Sequence, residues 1–384
     1  MFKADTIRRF HTIQTPFYYY DMDLLRETLD SCSLEARRHG YHLHYALKAN
    51  SNPEILSLIS ASGYGADCVS GNEIKAAIRH GFEPSRIMFS GVGKSDEEIR
   101  LALHHRIESI NVESRQEMMV INEIAAAMGV AANISLRIIP NVDAHTHRYI
   151  TTGLEENKFG ILPWEFEKVL EKIRTLENLK LKGLHFHIGS QITDLDVFKS
   201  LCQRINEINA WFISNKVFPE IINAGGGLGV DYGDPDSSPI PDFSTYFRVF
   251  SNFMELQPNQ QLHFEPGRAL VAQCGSLITK VMFVKKGVNT RFAIVDAGMN
   301  DLIRPALYQS YHKIESLTSM AEPEKYDVVG PICESSDCFG KAVSLPKTSR
   351  NDLLAIRSTG AYGQTMASRY NLRDLASAVY SDEE

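Results

Sequence analysis

Lys48 is a residue whose type and position together predict chemistry. It ends the apolar part of HYALKAN, residues 44–50, a stretch bounded by turn-forming residues that therefore predicts a buried strand. A buried ammonium is costly unless it is paired or its pKa shifts. Two uses stay open for such a lysine: a structural ion pair, or a Schiff base with a carbonyl compound.

Three consecutive glycines, Gly225, Gly226 and Gly227, lie in NAGGGLG at the end of another apolar run. Without a Cβ, their backbone amides could surround a phosphate group. A tight turn is the alternative interpretation. The dinucleotide-binding pattern GxGxxG starting at Gly225 is excluded, because Val230 occupies its last position.

Other polar residues complete a recognisable set. Glu265 and Arg268 lie in EPGR, and HFHIGSQ contains His187 and Ser190. A lysine, a phosphate cradle and a carboxylate for a pyridinium nitrogen together meet the needs of pyridoxal phosphate. His187 could stack on the cofactor ring and Ser190 could bind its phosphate, although a lone His187 also fits a satisfied core histidine.

The elements that must position these residues are short apolar runs alternating with longer amphipathic ones. This alternation predicts parallel strands joined by helices, and eight strands predict a (β/α)8 barrel. The runs are 42–49, 65–70, 87–91, 109–114, 133–139, 181–190, 220–227 and 261–267. In five of them polar and apolar residues alternate, so we expect the apolar side chains to face the helices and the polar ones to point inward near the carboxyl ends of the strands.

The predicted fold class is therefore α/β, with a TIM-type barrel and a C-terminal, mostly β domain. We assign residues 22–268 to a barrel that binds pyridoxal phosphate, and residues 1–21 and 269–384 to the β domain. The β assignment rests on strand-like runs such as SLITKVMFV and RFAIVDAG. The segment FYYY, residues 17–20, precedes the barrel and could add a strand to it.

Composition limits the partners. A net charge of −7 argues against nucleic acid, which normally requires a concentrated basic face. The N-terminus lacks an apolar signal-peptide core and no long apolar run occurs, so we expect a cytoplasmic protein with no membrane partner. The six cysteines are scattered without zinc-like spacing, which predicts free thiols and no metal site.

A set of motifs resembles the diaminopimelate decarboxylases. They belong to the fold-type III, alanine racemase-like family of pyridoxal phosphate decarboxylases, which includes ornithine decarboxylase. The motifs run from about residue 15 to 371 and include YALKANSNP, GADCVSGNE, DAHTHRYITTGLEENKFGI, HFHIGSQITD, GGGLGVDY, EPGRALVA, VDAGMNDLIRPALY, VVGPICESSDCF and GAYGQTMASRYN. The resemblance implies pyridoxal phosphate as cofactor and a homodimer with shared active sites.

The resemblance also implies roles for individual residues. The cofactor-binding residues would be Lys48, through a covalent bond, with Asp67, Arg137, His187, Ser190, Gly226, Gly227, Glu265, Gly267, Arg268 and Tyr362. The substrate-binding residues would be Arg268, Arg304, Tyr308, Glu334 and Tyr362. Lys48, His187 and Cys333 would be catalytic, with Cys333 as the proton donor. Cys333 and Glu334 would act in the site of the partner subunit.

The implied reaction is decarboxylation of meso-diaminopimelate to L-lysine and carbon dioxide. Paired arginines suit the distal carboxylate of that substrate, which ornithine lacks. A related decarboxylase acting on ornithine, arginine or carboxynorspermidine is the main alternative, and a racemase or a small cofactor carrier protein fits less well. Without the motifs, Arg304 and Tyr308 would be one helix face and Cys333 a buried apolar residue.

Overall fold

A computed structural model describes residues 2–143 and 158–382, which divide into two compact units. The barrel unit comprises Leu29–Gly229 and Asp242–Gly267. The β unit comprises Met1–Thr28, Val230–Pro241 and Arg268–Glu384. Most of the motif at residues 143–161 lies outside the described residues.

The strands and helices are numbered in chain order. The strands are β1 (Phe17–Tyr20), β2 (His42–Ala46), β3 (Gly65–Cys68), β4 (Ile87–Phe89), β5 (Ser109–Val112), β6 (Ala132–Ile138), β7 (Leu179–Phe186), β8 (Ile221–Asn223), β9 (Gln261–Phe264), β10 (Gly275–Lys286), β11 (Arg291–Val295), β12 (Ile314–Ser316), β13 (Pro323–Val329), β14 (Cys338–Pro346), β15 (Leu353–Ile356) and β16 (Ser377–Tyr380). The α-helices are α1 (Ala4–Phe10), α2 (Met22–Arg38), α3 (Pro53–Ala61), α4 (Gly71–Arg79), α5 (Asp96–His105), α6 (Arg115–Met128), α7 (Phe166–Ile173), α8 (Asp196–Ser214), α9 (Phe243–Phe253), α10 (Arg268–Val271) and α11 (Arg304–Tyr308).

Strands β2 to β9 form a closed barrel in the part of the chain that the structure describes. Each strand pairs in parallel with the next, and β9 pairs with β2. Because successive parallel strands need long crossovers, helices lie between them along the chain. The barrel and the separate, mostly β sheet confirm the predicted fold class.

Alternate residues on the barrel strands have different surroundings. The outward residue Phe264 on β9 packs against Phe247 and Phe250 of α9, with ring centroids 5.1 and 4.7 Å apart. Its neighbour His263 is buried, and His263 Nδ1 lies 2.9 Å from His44 Nε2 with the two rings within 14° of parallel. Burial lowers the pKa of His44 to about 4, so this histidine is neutral at neutral pH. The two rings therefore point nitrogens at each other, as in a hydrogen bond between neutral groups.

The predicted strand position of Lys48 is wrong. Strand β2 ends at Ala46, the last residue that pairs with β3, opposite Asp67. Leu47–Ala49 then form one 3₁₀ turn, which buries Leu47 and leaves the side chain of Lys48 37% exposed. The ladder with β9 ends at the Leu43–Phe264 pair and the ladder with β3 ends at the Ala46–Asp67 pair, so no strand pairing continues beyond Ala46. The turn replaces strand alternation in directing the lysine.

The β unit contains a sheet of eight strands among the described residues, with the order β12-β15-β10-β11-β13-β14, with β1 attached to β10 and β16 attached to β1. The expectation that FYYY adds a strand to the barrel is therefore wrong. Strand β1 pairs antiparallel with β10 and parallel with β16. Phe17 and Tyr19 lie in a buried apolar cluster with Phe10, Ile278 and Val379, which explains the choice of partner.

Two sequence expectations concern the whole chain. All six cysteines are free thiols in the structure, as their spacing predicts. Among the described helices, none combines the length and the apolar character that a membrane span requires.

Candidate active site

An ion pair between Lys48 and Asp67 lies at the carboxyl ends of the first two barrel strands. Lys48 Nζ is 3.5 Å from Asp67 Oδ2. Ser90 Oγ donates to Asp67 Oδ1 at 2.8 Å, and Asn111 Nδ2 donates to Ser90 Oγ at 2.9 Å. Burial, and then the negative charge of Glu265, raise the pKa of Asp67, whereas Lys48 opposes the rise. The carboxylate is thus held by a buried hydrogen-bond chain on one side and by the lysine on the other.

Glu265 follows β9 and is fixed by one donor on each carboxylate oxygen. Asn223 Nδ2 donates to Oε1 at 2.8 Å, and His185 Nε2 lies 3.1 Å from Oε2. Burial alone would raise the pKa of Glu265, but the charge and hydrogen bond of His185, and then the charge of Lys48, hold it well below its usual range. Glu265 is therefore an ionised carboxylate in a buried position.

The glycine run packs so closely against neighbouring backbone that side chains are excluded. A Cβ on Gly225 would lie 2.3 Å from the Phe186 carbonyl oxygen, and one on Gly226 would lie 2.2 Å from the Glu265 carbonyl oxygen. Gly225 also has a φ of +74°, which favours glycine. The amide of Gly225 donates to Asn223 Oδ1 at 2.8 Å, so Asn223 links the glycine run to Glu265.

His187 lies beside the glycine run as a neutral ring. Its Nδ1 accepts a hydrogen bond from the amide of Gly226 at 3.3 Å, which leaves the proton on Nε2. Burial, and then the positive charges of Lys48 and Arg137, hold the pKa of His187 well below its usual value. A neutral imidazole here presents a flat face without adding another cation to the barrel end.

The other predicted cofactor residues of the barrel unit occupy distinct positions. Ser190 follows β7 and is half-buried. Gly267 follows Glu265, and a Cβ at this position would lie 3.1 Å from the Cβ of Ala46. Arg137 on β6 is buried and donates to Glu113 Oε1 at 2.7 Å, while its guanidinium lies 4.4 Å from the ring centroid of Phe159. The bonds that fix Arg137 thus go to Glu113, and its role at a cofactor stays a prediction.

In the β unit, the structure brings Arg268 and Arg304 together at Tyr232, with Tyr362 beside Arg268. Arg268 Nη1 and Arg304 Nη1 lie 2.6 and 3.0 Å from Tyr232 Oη. Arg268 Cζ is also 4.9 Å from the ring centroid of Tyr362. Tyr308, the last residue of α11, is half-buried on the helix that begins with Arg304.

Cys333 and Glu334 lie in an exposed turn of the β unit and not in this arginine cluster. The Cys333 amide donates to Asn371 Oδ1 at 3.2 Å, and Tyr370 Oη donates to Glu334 Oε1 at 2.6 Å. Asp337 fixes the turn, because its two carboxylate oxygens accept hydrogen bonds from the backbone amides of Met299 and Ile332 at 2.7 Å each. Both predicted residues are therefore exposed on an ordered turn.

Sequence reasoning missed the residues that hold the predicted ones in place: Ser90, Asn111, Asn223, Tyr232 and Asp337, together with His312, whose Nε2 lies 3.0 Å from Arg304 Nη1. Asn223 carried a usable signal, since it lies on the inward face of its strand, two residues before Gly225. Tyr232 ends the motif GGGLGVDY but is separated by 72 residues from Arg304, so no spacing rule connects the two.

Comparison with known proteins identifies the family. The model for the pyridoxal-dependent decarboxylases, pyridoxal binding domain, matches residues 26–272. The chain belongs to the pyridoxal-dependent decarboxylase family. A curated diaminopimelate decarboxylase from Bacteroides thetaiotaomicron is 55% identical over 98% of both chains, and one from Helicobacter pylori is 43% identical over 95% of this chain and 89% of that protein.

Solved structures of family members agree. The crystal structure of diaminopimelate decarboxylase from Helicobacter pylori complexed with L-lysine has a TM-score of 0.93 and 42% identity, covering 98% of this chain and 94% of that one. The corresponding L-lysine complex from m. jannaschii has a TM-score of 0.89 and 33% identity, covering 98% and 89%. These relatives confirm the resemblance inferred from the motifs, and with it the assignment of the chain as a decarboxylase.

Replacing Ser90 tests the hydrogen-bond chain that holds Asp67. In Ser90→Ala, Asp67 loses a donor and the buried amide of Asn111 loses its acceptor, so we expect unfolding free energy to fall by about 2 kcal/mol. Urea unfolding measures the change. The exposed Ser85 serves as the matched control, and we expect Ser85→Ala to change stability by less than about 0.5 kcal/mol. Equal effects of the two substitutions would contradict the proposed chain.

Proposed function

We propose that this protein is a diaminopimelate decarboxylase, which uses pyridoxal phosphate to convert meso-diaminopimelate into L-lysine and carbon dioxide. The convergence of Arg268 and Arg304 on a single acceptor oxygen carries the substrate assignment. Two guanidinium groups at one point suit a carboxylate, and the distal end of diaminopimelate provides one. Diaminopimelate decarboxylases at 55% and 43% identity support the same substrate.

The barrel residues fit pyridoxal phosphate. Lys48 would hold the cofactor covalently, while the backbone of Gly226 and Gly227, with Ser190 and Gly267, would bind the phosphate. Neutral His187 would lie against the ring face, and Asp67 would keep the ammonium of Lys48 oriented. Pyridoxal phosphate supplies the electron-withdrawing ring that takes up the electron pair left when the carboxylate departs.

Glu265 would hold a proton on the ring nitrogen of the cofactor. The side chain of Glu265 can do this only if it is itself ionised, and its low pKa meets that condition. Its orientation is set by Asn223 and His185 at 2.8 and 3.1 Å. A racemase of this fold would prefer a weaker electron sink, with arginine instead of glutamate at this position.

The β unit would bind the distal end of the substrate. Arg268, Arg304 and Tyr308 would bind the distal carboxylate, with Tyr362 beside both substrate and cofactor. Glu334 would bind the distal ammonium, so that only one end of the substrate reaches the reacting position. Cys333 would deliver the proton to the carbon that has lost its carboxylate. Exposure of Cys333 and Glu334 on one turn supports their insertion into the site of a partner subunit.

Three further assignments belong to this proposal. The protein would act as a homodimer with shared active sites, and it would work in the cytoplasm. Residues 22–268 would be the domain that binds pyridoxal phosphate, with residues 1–21 and 269–384 as the β domain. The guanidinium group of Arg137 would lie near the cofactor.

Carbon dioxide release from a panel of amino acids tests the substrate. With pyridoxal phosphate present, we expect meso-diaminopimelate to be preferred over ornithine, arginine and carboxynorspermidine. The reason is that the paired arginines would bind a distal carboxylate and so favour the substrate that carries one. L-lysine should form in an amount equal to the carbon dioxide. A preference for ornithine would contradict the proposal.

Replacing Cys333 tests the proton donor. In Cys333→Ala we expect kcat to fall by at least about a hundredfold, the usual contribution of a positioned acid, while bound pyridoxal phosphate measured by absorbance is unchanged. Cys338→Ala is the matched control, since Cys338 is a free, half-buried thiol five residues away, and its turnover should match that of the wild type. Unchanged turnover in Cys333→Ala would contradict this role.

A further inference from the structure

Tyr232 is the shared acceptor of the two arginines in the β unit. Its hydroxyl oxygen lies 2.6 Å from Arg268 Nη1 and 3.0 Å from Arg304 Nη1. Because a guanidinium can only donate, the phenolic oxygen accepts both hydrogen bonds. The guanidinium carbons of Arg304 and Arg268 also lie 5.0 and 5.9 Å from the Tyr232 ring centroid, within the range of cation–π attraction.

The position of Tyr232 reduces the repulsion between the two buried arginines. Arg268 and Arg304 are each only 5% exposed, and two buried positive charges repel each other. Burial would raise the pKa of Tyr232, but the charges of Arg268 and Arg304 and their hydrogen bonds outweigh it and lower this pKa below the ordinary value. The phenolic oxygen accepts a hydrogen bond from each arginine, and these two contacts offset part of the repulsion between the guanidinium groups.

His312 fixes the second arginine from another side. Arg304 Nη1 donates to His312 Nε2 at 3.0 Å, and His312 Nδ1 donates to the Arg357 carbonyl oxygen at 2.9 Å. Burial, and then the charge of Arg304, lower the pKa of His312 to about 3, so its Nε2 is an acceptor at neutral pH. Within the described residues, the hydrogen bonds of Arg304 run through Nη1 alone. Its Nε and Nη2 edge is thus left to face a carboxylate.

We propose that Tyr232 is a positioning residue for the distal carboxylate of the substrate. It holds the guanidinium groups of Arg268 and Arg304 at one point before the substrate arrives, and it does so through their Nη1 atoms. The inference rests on the proposed function, because it takes the distal carboxylate of diaminopimelate as the ligand of the arginine pair. A preorganised pair loses less conformational entropy on binding than two independent arginines would.

Two small ligands separate a positioning role from a general structural one. L-lysine carries a carboxylate beside one of its amino groups, as the distal end of diaminopimelate does, whereas cadaverine has the same chain and no carboxylate. Dissociation constants of both would be measured on the holoenzyme of the wild type and of Tyr232→Phe. The exposed Tyr311 supplies the matched control, Tyr311→Phe.

In Tyr232→Phe we expect the dissociation constant of L-lysine to rise about tenfold, the loss that follows when a charge-assisted hydrogen-bond arrangement is removed. The constant for cadaverine should change less than about twofold. The KM for meso-diaminopimelate should rise about tenfold with kcat within about twofold, since the lost interaction is the same in the ground state and the transition state. Tyr311→Phe should match the wild type in every value.

Other outcomes overturn the inference. Unchanged or tighter binding of L-lysine in Tyr232→Phe would exclude positioning, and an equal loss for L-lysine and cadaverine would indicate a general structural effect. If Tyr232→Phe fails to fold, Tyr232→Gln is measured in its place, and failure of both to fold would assign Tyr232 to stability alone. If the wild type itself neither decarboxylates meso-diaminopimelate nor binds L-lysine, the proposed function fails first, which is a separate result.

Discussion

The ionised, buried carboxylate of Glu265 is the constraint on which the rest of the barrel end depends. A carboxylate in this position is unfavourable unless nearby groups compensate its charge. His185 and Asn223 provide the compensation by donating to one oxygen each, and Lys48 adds a positive charge. His185 on β7, Asn223 on β8 and Lys48 in the turn after β2 thus act together to keep this one group charged.

The same charge raises the pKa of Asp67 and so links the two carboxylates of the barrel end. Lys48 lies 3.5 Å from Asp67, and its positive charge opposes the rise in the pKa of Asp67 and helps to lower the pKa of Glu265. The positive charge of Lys48 also helps to keep His187 neutral. The lysine, the two acids and the histidine therefore form one electrostatic unit, in which a change of charge at Lys48 or Glu265 shifts the pKa values of Asp67 and His187.

Much of the barrel could be predicted from the sequence, because the sequence patterns that indicate its strands are local. Strand alternation and the spacing of apolar runs predicted the eight strands and the inward positions of His185 and His263. The strand end at Ala46 depended on where the ladder with β3 stops, and the partner of FYYY depended on a buried cluster formed by distant residues. Convergence of Arg268 and Arg304 on Tyr232 likewise requires the folded chain, since the residues lie far apart in sequence and on different elements.

Borohydride reduction of the holoprotein, followed by digestion and mass spectrometry, tests most directly whether the barrel end exists to hold pyridoxal phosphate on Lys48. Reduction makes a covalent lysine–cofactor bond permanent, so the account predicts a pyridoxyl group on the peptide that contains Lys48 and no such group in Lys48→Ala. A pyridoxyl group on another lysine, or a reduced wild-type protein that carries none, would contradict the account.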